Sequence, residues 1–210
     1  MPGALTRCKL SMMRKLLAAL VLGLFLITPS QADDIQDFQI EGISIGDSAL
    51  DHFSEEQIKS KKNSYEDKGY IYPSREYYAI TFNNLTQFET YDDVQFHLKD
   101  KDNTYKIYAV MGIINYRNNN INACYQKLDL IEKELDDLFK SAIKGDRYTY
   151  NHAHDKSGKS KVTAFNYKFD SNDTIYVSCA DWSEKTKISD ALRISLSAGT
   201  FEIWMNNVYK

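Results

Sequence analysis

Six stretches of the chain alternate apolar with polar residues and are dominated by β-branched and aromatic side chains: "YYAITF" (77–82), "VQFHLK" (94–99), "TYKIYAVMGIINY" (104–116), "VTAFNYKF" (162–169), "TIYVSCA" (174–180) and "LRISLSA" (192–198). That period of two is the mark of half-buried strands. Asp100-Lys101-Asp102-Asn103 separates the second stretch from the third, and Asp170-Ser171-Asn172-Asp173 the fourth from the fifth. Each pair therefore reads as a hairpin with a four-residue polar loop, and the sheet as mainly antiparallel.

A different period runs from about Asn120 to Ser141, where Ile121, Cys124, Leu128, Ile131, Leu135, Leu138 and Phe139 recur every three or four residues. This predicts an amphipathic helix lying across the sheet, with Asp129, Glu132, Lys133, Asp136 and Asp137 on its other face and the asparagines of "RNNNIN" as caps. A second helical stretch is expected near 47–61, where Asp47 or Ser48 can cap a turn and Ser54-Glu55-Glu56-Gln57 matches a capping box. Phe201, Trp204, Met205 and Val208 follow Thr200 at helical spacing and predict a short terminal helix. The fold class is α+β, an antiparallel sheet with helices packed on one face. Both halves run helix, strand, hairpin, and "FHLKDKDNTY" echoes "FNYKFDSNDTIY". That order allows, without demonstrating, two α-β-β-β halves.

Ahead of the strands, Arg14 and Lys15 precede an unbroken apolar run, Leu16 to Ile27, followed by Pro29 and Ser30-Gln31-Ala32. This has the form of a secretory signal peptide over residues 1–32, with Met13 as an alternative start. A run of about 12 residues is too short to span a bilayer. No lipid-bearing cysteine stands at the cleavage point, where the residue is Asp33. The expectation is a single exported domain, residues 33–210, working in the periplasm without a membrane anchor. Cleavage removes Arg7, Lys9, Arg14 and Lys15, leaving 22 basic against 29 acidic residues, a net charge of −7. Such a chain lacks the basic footprint that nucleic acid requires. Cys124 and Cys179 remain after processing. In an oxidising compartment they suggest a disulfide, two separately buried thiols being the alternative.

Three constellations invite a chemical reading. Gly46-Asp47-Ser48 resembles the opening of the nucleophile block of GDSL esterases, but that family also uses a Gly-x-Asn-Asp and a late Asp-x-x-His. Neither occurs here, and the last histidine is His154. Ser48 is expected to start a helix, a hydrolase being the alternative. "NHAHD" (151–155) places His152 and His154 two apart, a spacing that can hold Zn²⁺ or Cu²⁺ with a third ligand. Its polar surroundings favour two solvated histidines in a loop, with no resident metal or cofactor. The chain holds fifteen tyrosines, with Tyr148 and Tyr150 two apart beside this loop. Tyrosine offers contact area at low entropic cost, so Tyr148, Tyr150, His152 and His154 form the candidate binding surface.

At "DFQIEGISIGDSALDHFSEEQI", "NACYQKLDLI" and "VSCADWS" the chain resembles a group of exported proteins of marine alphaproteobacteria that share an I-E-G-x-S-x-G-D-S opening. The likeness spans nearly all of the mature chain and implies no activity. The group has cysteines at the places of Cys124 and Cys179, which supports a disulfide. In architecture alone the order of elements is similar to SmpA/OmlA lipoproteins and to tandem β-lactamase inhibitor proteins. These features together lead to the expectation of a non-catalytic periplasmic binding protein whose partner is an envelope protein or a small ligand.

Overall fold

A computed structural model of the protein describes residue 35 and residues 38–67, 72–117 and 120–208. The expected signal peptide, residues 1–32, lies outside them. The described strands form one antiparallel sheet: β1 (Tyr77–Asn83), β2 (Asp93–Lys99), β3 (Ile107–Tyr116), β4 (Ile143–Lys144), β5 (Tyr148–Asn151), β6 (Lys161–Lys168), β7 (Thr174–Asp181) and β8 (Asp190–Ser197). Their spatial order is β1-β2-β3-β8-β7-β6, with β4 and β5 both pairing along the outer side of β6. The two meanders meet where β3 pairs β8, from Ala109↔Ser197 to Tyr116↔Asp190.

Among the described residues three α-helices accompany the sheet: α1 (Glu55–Asp67), α2 (Ile121–Leu138) and α3 (Gly199–Val208). The capping box forms as its sequence demands. The Gln57 N–H donates to Ser54 Oγ at 3.3 Å and the Ser54 N–H donates to Gln57 Oε1 at 2.8 Å. Cys124, Leu128, Ile131 and Leu135 of α2 are buried against Phe96, Val110, Phe165, Val177, Ile194 and Leu196. Strand alternation puts all of those strand residues on one face of the sheet. α1 joins this face through Ile58, and Phe53 just before it stacks on Phe82 with ring centroids 3.7 Å apart. The terminal helix takes the other face, where Phe201 and Trp204 pack on Tyr77 and Ala109. The helical cover is thus divided, with α3 over the β1–β3 end of the face opposite α1 and α2. Among the described residues no helix is long and apolar enough to cross a membrane.

Three local features come from contacts that local sequence pattern does not contain. β3 begins at Ile107 rather than at residue 104, because residues 46–49 take the backbone groups ahead of it. Gly46 N–H donates to the Ile107 carbonyl at 2.8 Å, Ile107 N–H to the Asp47 carbonyl at 2.9 Å and Ala49 N–H to the Tyr105 carbonyl at 2.9 Å. α3 is capped from a distance: the Gly199 N–H donates to Asp173 Oδ1 at 2.6 Å. A Cβ at Gly199 would stand 2.8 Å from the Ser171 carbonyl oxygen, so this close approach requires glycine. The acidic side of α2 is engaged by the segment that follows it. Lys144 pairs with Glu132 and Asp136, and Arg147 with Asp129 and Glu132, stitching the β4–β5 segment to the helix.

Cys124 of α2 and Cys179 of β7 bring their sulfurs to bonding distance, 1.95 Å, with the Cα atoms 6.0 Å apart. The bond joins the helix to the sheet across a separation of 55 residues. Cross-linking a loop of that size restricts the unfolded chain and stabilises the fold by roughly 4 kcal/mol in the chain-entropy model. Reduction, or Cys179→Ala, should therefore lower the free energy of unfolding by about 2–4 kcal/mol. Urea titration followed by circular dichroism with and without a reductant checks this.

Candidate functional site

The opening motif is consumed by structure. Ile40 and Ile43 pair across a tight turn whose central residues, Glu41 and Gly42, have φ of 54° and 77°. A left-handed conformation costs a non-glycine residue energy, and the Glu41 side chain offsets it. Its carboxylate accepts the backbone N–H groups of Glu89, Thr90 and Tyr91 at 3.1, 2.7 and 3.0 Å, fastening the β1–β2 connection to the segment before α1. Ser44 donates its hydroxyl to the Phe38 carbonyl at 3.1 Å and its N–H to Asp47 Oδ2 at 2.7 Å. Ser48 caps the 3-10 turn Ala49–Asp51, accepting from the Leu50 N–H at 3.2 Å and donating its hydroxyl to the Thr104 carbonyl at 2.7 Å. Its proton is committed to a backbone carbonyl, and the roles of Ile40, Glu41, Gly42, Ser44, Asp47 and Ser48 are all architectural.

The tyrosine and histidine cluster lies at the opposite end of the sheet, and its local structure differs from the expected loop. Tyr148 and Tyr150 belong to β5, paired with Ala164 and Val162 of β6. They are 47% and 43% exposed, and their rings stack with centroids 5.8 Å apart. The floor beneath is small: Ala164, Ser178 and Ala180 are buried and leave room for rings to lie across them. Tyr176 of β7 shares that surface, its hydroxyl 2.8 Å from the hydroxyl of Tyr150. Burial and the Tyr150 hydrogen bond push the Tyr176 phenol up, so it stays protonated. Arg193, directly opposite Ser178 on β8, points to the same face, since its neighbours Leu192 and Ile194 enter the main core.

His152 is a correction to the solvated pair expected in "NHAHD". It is buried, its ring 3.9 Å from that of Trp182, and burial together with Arg193 pushes its pKa down to about 4. Its Nδ1 faces the His154 N–H at 3.3 Å. His154 remains exposed, its ring centroid 5.7 Å from that of His152. Asp155 organises the loop: its carboxylate accepts from the Ser157 N–H at 2.9 Å and from the Ser160 N–H and hydroxyl at 2.9 and 2.6 Å. Among the described residues no group of three or more His, Cys, Asp or Glu side chains is arranged to hold a metal ion.

One face of the sheet therefore has two parts. Over β1–β3 it is roofed by α3, with His97 buried under Phe201 at 4.8 Å between ring centroids and bonded through Nδ1 to the Tyr72 hydroxyl at 2.9 Å. Over β5–β8 no described helix covers it, and Tyr148, Tyr150, Tyr176 and Arg193 form its surface. Sequence reasoning found the two tyrosines of β5 but missed Tyr176, Trp182 and Arg193, which lie 26 to 45 positions further along, counted from Tyr150 to Tyr176 and from Tyr148 to Arg193. The available signal was the basic residue within the otherwise apolar and small "LRISLSA". Comparison of the chain with models of protein families, with curated proteins and with solved structures finds no match.

The architectural roles make Ser48→Ala destabilising by about 1 kcal/mol, for a lost cap, and Glu41→Ala by about 2 kcal/mol, for lost bonds to a charged acceptor. Urea unfolding of the two variants measures both costs. The buried imidazoles set a pH dependence. His97 has its pKa pushed down by burial from 6.5 to about 4. Between those values the unfolded chain takes up protons that the folded one refuses, so stability is complete above about pH 6.5 and falls as pH drops toward about 4. For His97 the loss approaches about 3 kcal/mol. Urea midpoints followed from neutral to acidic pH should show this decline, and His97→Gln should make it shallower, leaving the share that belongs to His152.

Proposed function

We propose that this is an exported, non-catalytic binding protein of the periplasm, and that the uncovered half of the sheet face is its contact surface. The observation that carries the reading is the exposed, stacked pair Tyr148 and Tyr150 beside Tyr176 and Arg193, on a sheet face that no described helix covers. Tyrosine and arginine are the side chains that concentrate binding energy at protein contacts, and a sheet holds them without a large ordering cost. The signal-like segment before residue 33 and the Cys124–Cys179 pair support export, since such a bond persists in an oxidising compartment. The hydroxyl of Ser48, the residue expected for the alternative hydrolase, is held by the Thr104 carbonyl, which favours binding over hydrolysis.

The reading predicts that crosslinking in intact cells joins the wild-type protein to a recurrent envelope partner, and that Tyr148→Ser with Tyr150→Ser reduces the yield at least tenfold, about 1.4 kcal/mol or more. Leu130→Ser, an exposed residue of α2 on the far side of the sheet, is the control and should leave the yield unchanged. Equal yields from the tyrosine variant and the control would refute the reading.

A further inference from the structure

The described residues contain three buried side-chain polar atoms without a hydrogen-bond partner, Trp182 Nε1, Asp190 Oδ2 and Arg193 Nε. Two of the three belong to residues on the uncovered face. Arg193 is the more consequential, because it carries a full charge. It is only partly exposed, no described carboxylate forms an ion pair with it, and the side chains beside it include the phenols of Tyr176 and Tyr150 and the imidazole of His152. Two other partly buried cations on this chain are paired: Arg147 meets Asp129 and Glu132, and Lys144 meets Glu132 and Asp136. A partly buried guanidinium without a counter-charge is costly unless something supplies one.

We infer that Arg193 is the anchor of a carboxylate-binding site, in which a ligand carboxylate meets the guanidinium and the Tyr150 and Tyr176 hydroxyls while the ligand's remaining surface lies on the rings of Tyr148 and Tyr150. Each of these groups suits that role. The planar guanidinium offers parallel N–H donors that match the two oxygens of a carboxylate. The paired Tyr150 and Tyr176 hydroxyls stand 2.8 Å apart, and only one of them needs to donate to the other, leaving a second proton for an acceptor. Tyr148 and Tyr150 present stacked rings for an apolar body. The small floor of Ser178 and Ala164 leaves the tyrosine rings as the outer layer of the face, with Arg193 partly exposed beside them and its Nε covered. The carboxylate can belong to a small molecule or to an acidic side chain of a protein, and the two sources share this chemistry.

The inference rests on the uncovered face being the binding surface, and it is tested on the intact mature protein by following the Arg193 Nε–H resonance in nitrogen-15 spectra. The probes are benzoate, benzamide as its neutral counterpart, inorganic phosphate and an oligoglutamate peptide. The expected result is a shift that saturates at roughly millimolar benzoate, at least tenfold weaker binding of benzamide, and no saturable benzoate binding by Arg193→Gln. A peptide that saturates at tenfold lower concentration than benzoate assigns the carboxylate to a protein partner, and the reverse order assigns it to a small molecule. The inference is overturned if no carboxylate moves the Arg193 resonance, if benzamide equals benzoate, if phosphate binds more tightly than either carboxylate, or if Arg193→Gln keeps the binding. The wild-type titration decides most of this even where the variant folds poorly. Loss of crosslinks in the Tyr148 and Tyr150 variant, combined with an unresponsive Arg193, would leave the contact face standing and remove the carboxylate alone.

Discussion

Everything in this molecule depends on the pairing of β3 with β8. The partners are separated in sequence by between 74 positions, Tyr116 to Asp190, and 88 positions, Ala109 to Ser197. Closing so long a loop costs chain entropy before any ladder bond forms, so the pairing needs apolar burial to hold it. The α2 helix supplies that burial by lying against β7, β8 and β3 together, and the Cys124–Cys179 bond fixes it to β7. With the seam in place, two meanders become one sheet with one thoroughly covered face. Without it, the residues of the open face would have no common surface, since Tyr148 and Tyr150 sit outside β6 and Arg193 sits on the seam strand itself.

The two faces divide the work. The α1 and α2 face buries large apolar side chains and carries the stability. The other face is split between a roof, α3 with Phe201 and Trp204, and a bare stretch with small residues beneath tyrosines. Polar atoms left without partners gather toward that bare end, as expected where structure is arranged for something other than stability. The Ile40-to-Ser48 stretch is the opposite case. It looks chemical in the sequence, yet Glu41, Ser44, Asp47 and Ser48 spend their polar atoms on neighbouring backbone.

Local pattern made much of this legible. The strands at 77–83, 93–99, 161–168, 174–181 and 190–197 and the helix at 121–138 lie within a few residues of their sequence-based positions, because burial on one face repeats with a period of two or 3.6. The strand β5 was not visible as one: its four residues are all exposed, so no apolar alternation marks them, and only pairing with β6 makes them a strand. His152 was misread because its burial comes from Trp182, thirty positions away, while its own neighbours are polar. Arg193 was read as a strand residue, for the sequence shows its alternation but not the absence of an acidic partner. The cap of α3 by Asp173 and the latch of Glu41 on residues 89–91 are likewise contacts across the fold that no window of sequence contains.

That one half of one sheet face is open and presents tyrosines is tested by hydroxyl-radical footprinting of the native protein with residue-level mass spectrometry. The account predicts that Tyr148 and Tyr150 are oxidised fast, whereas Tyr77 under α3, Tyr91 and Tyr167 in the covered core are protected until the protein is unfolded. Protection of Tyr148 and Tyr150 in the native protein, or oxidation of Tyr77 and Tyr167 at the same rate as these two, would contradict the division of the sheet into a covered face and an open one.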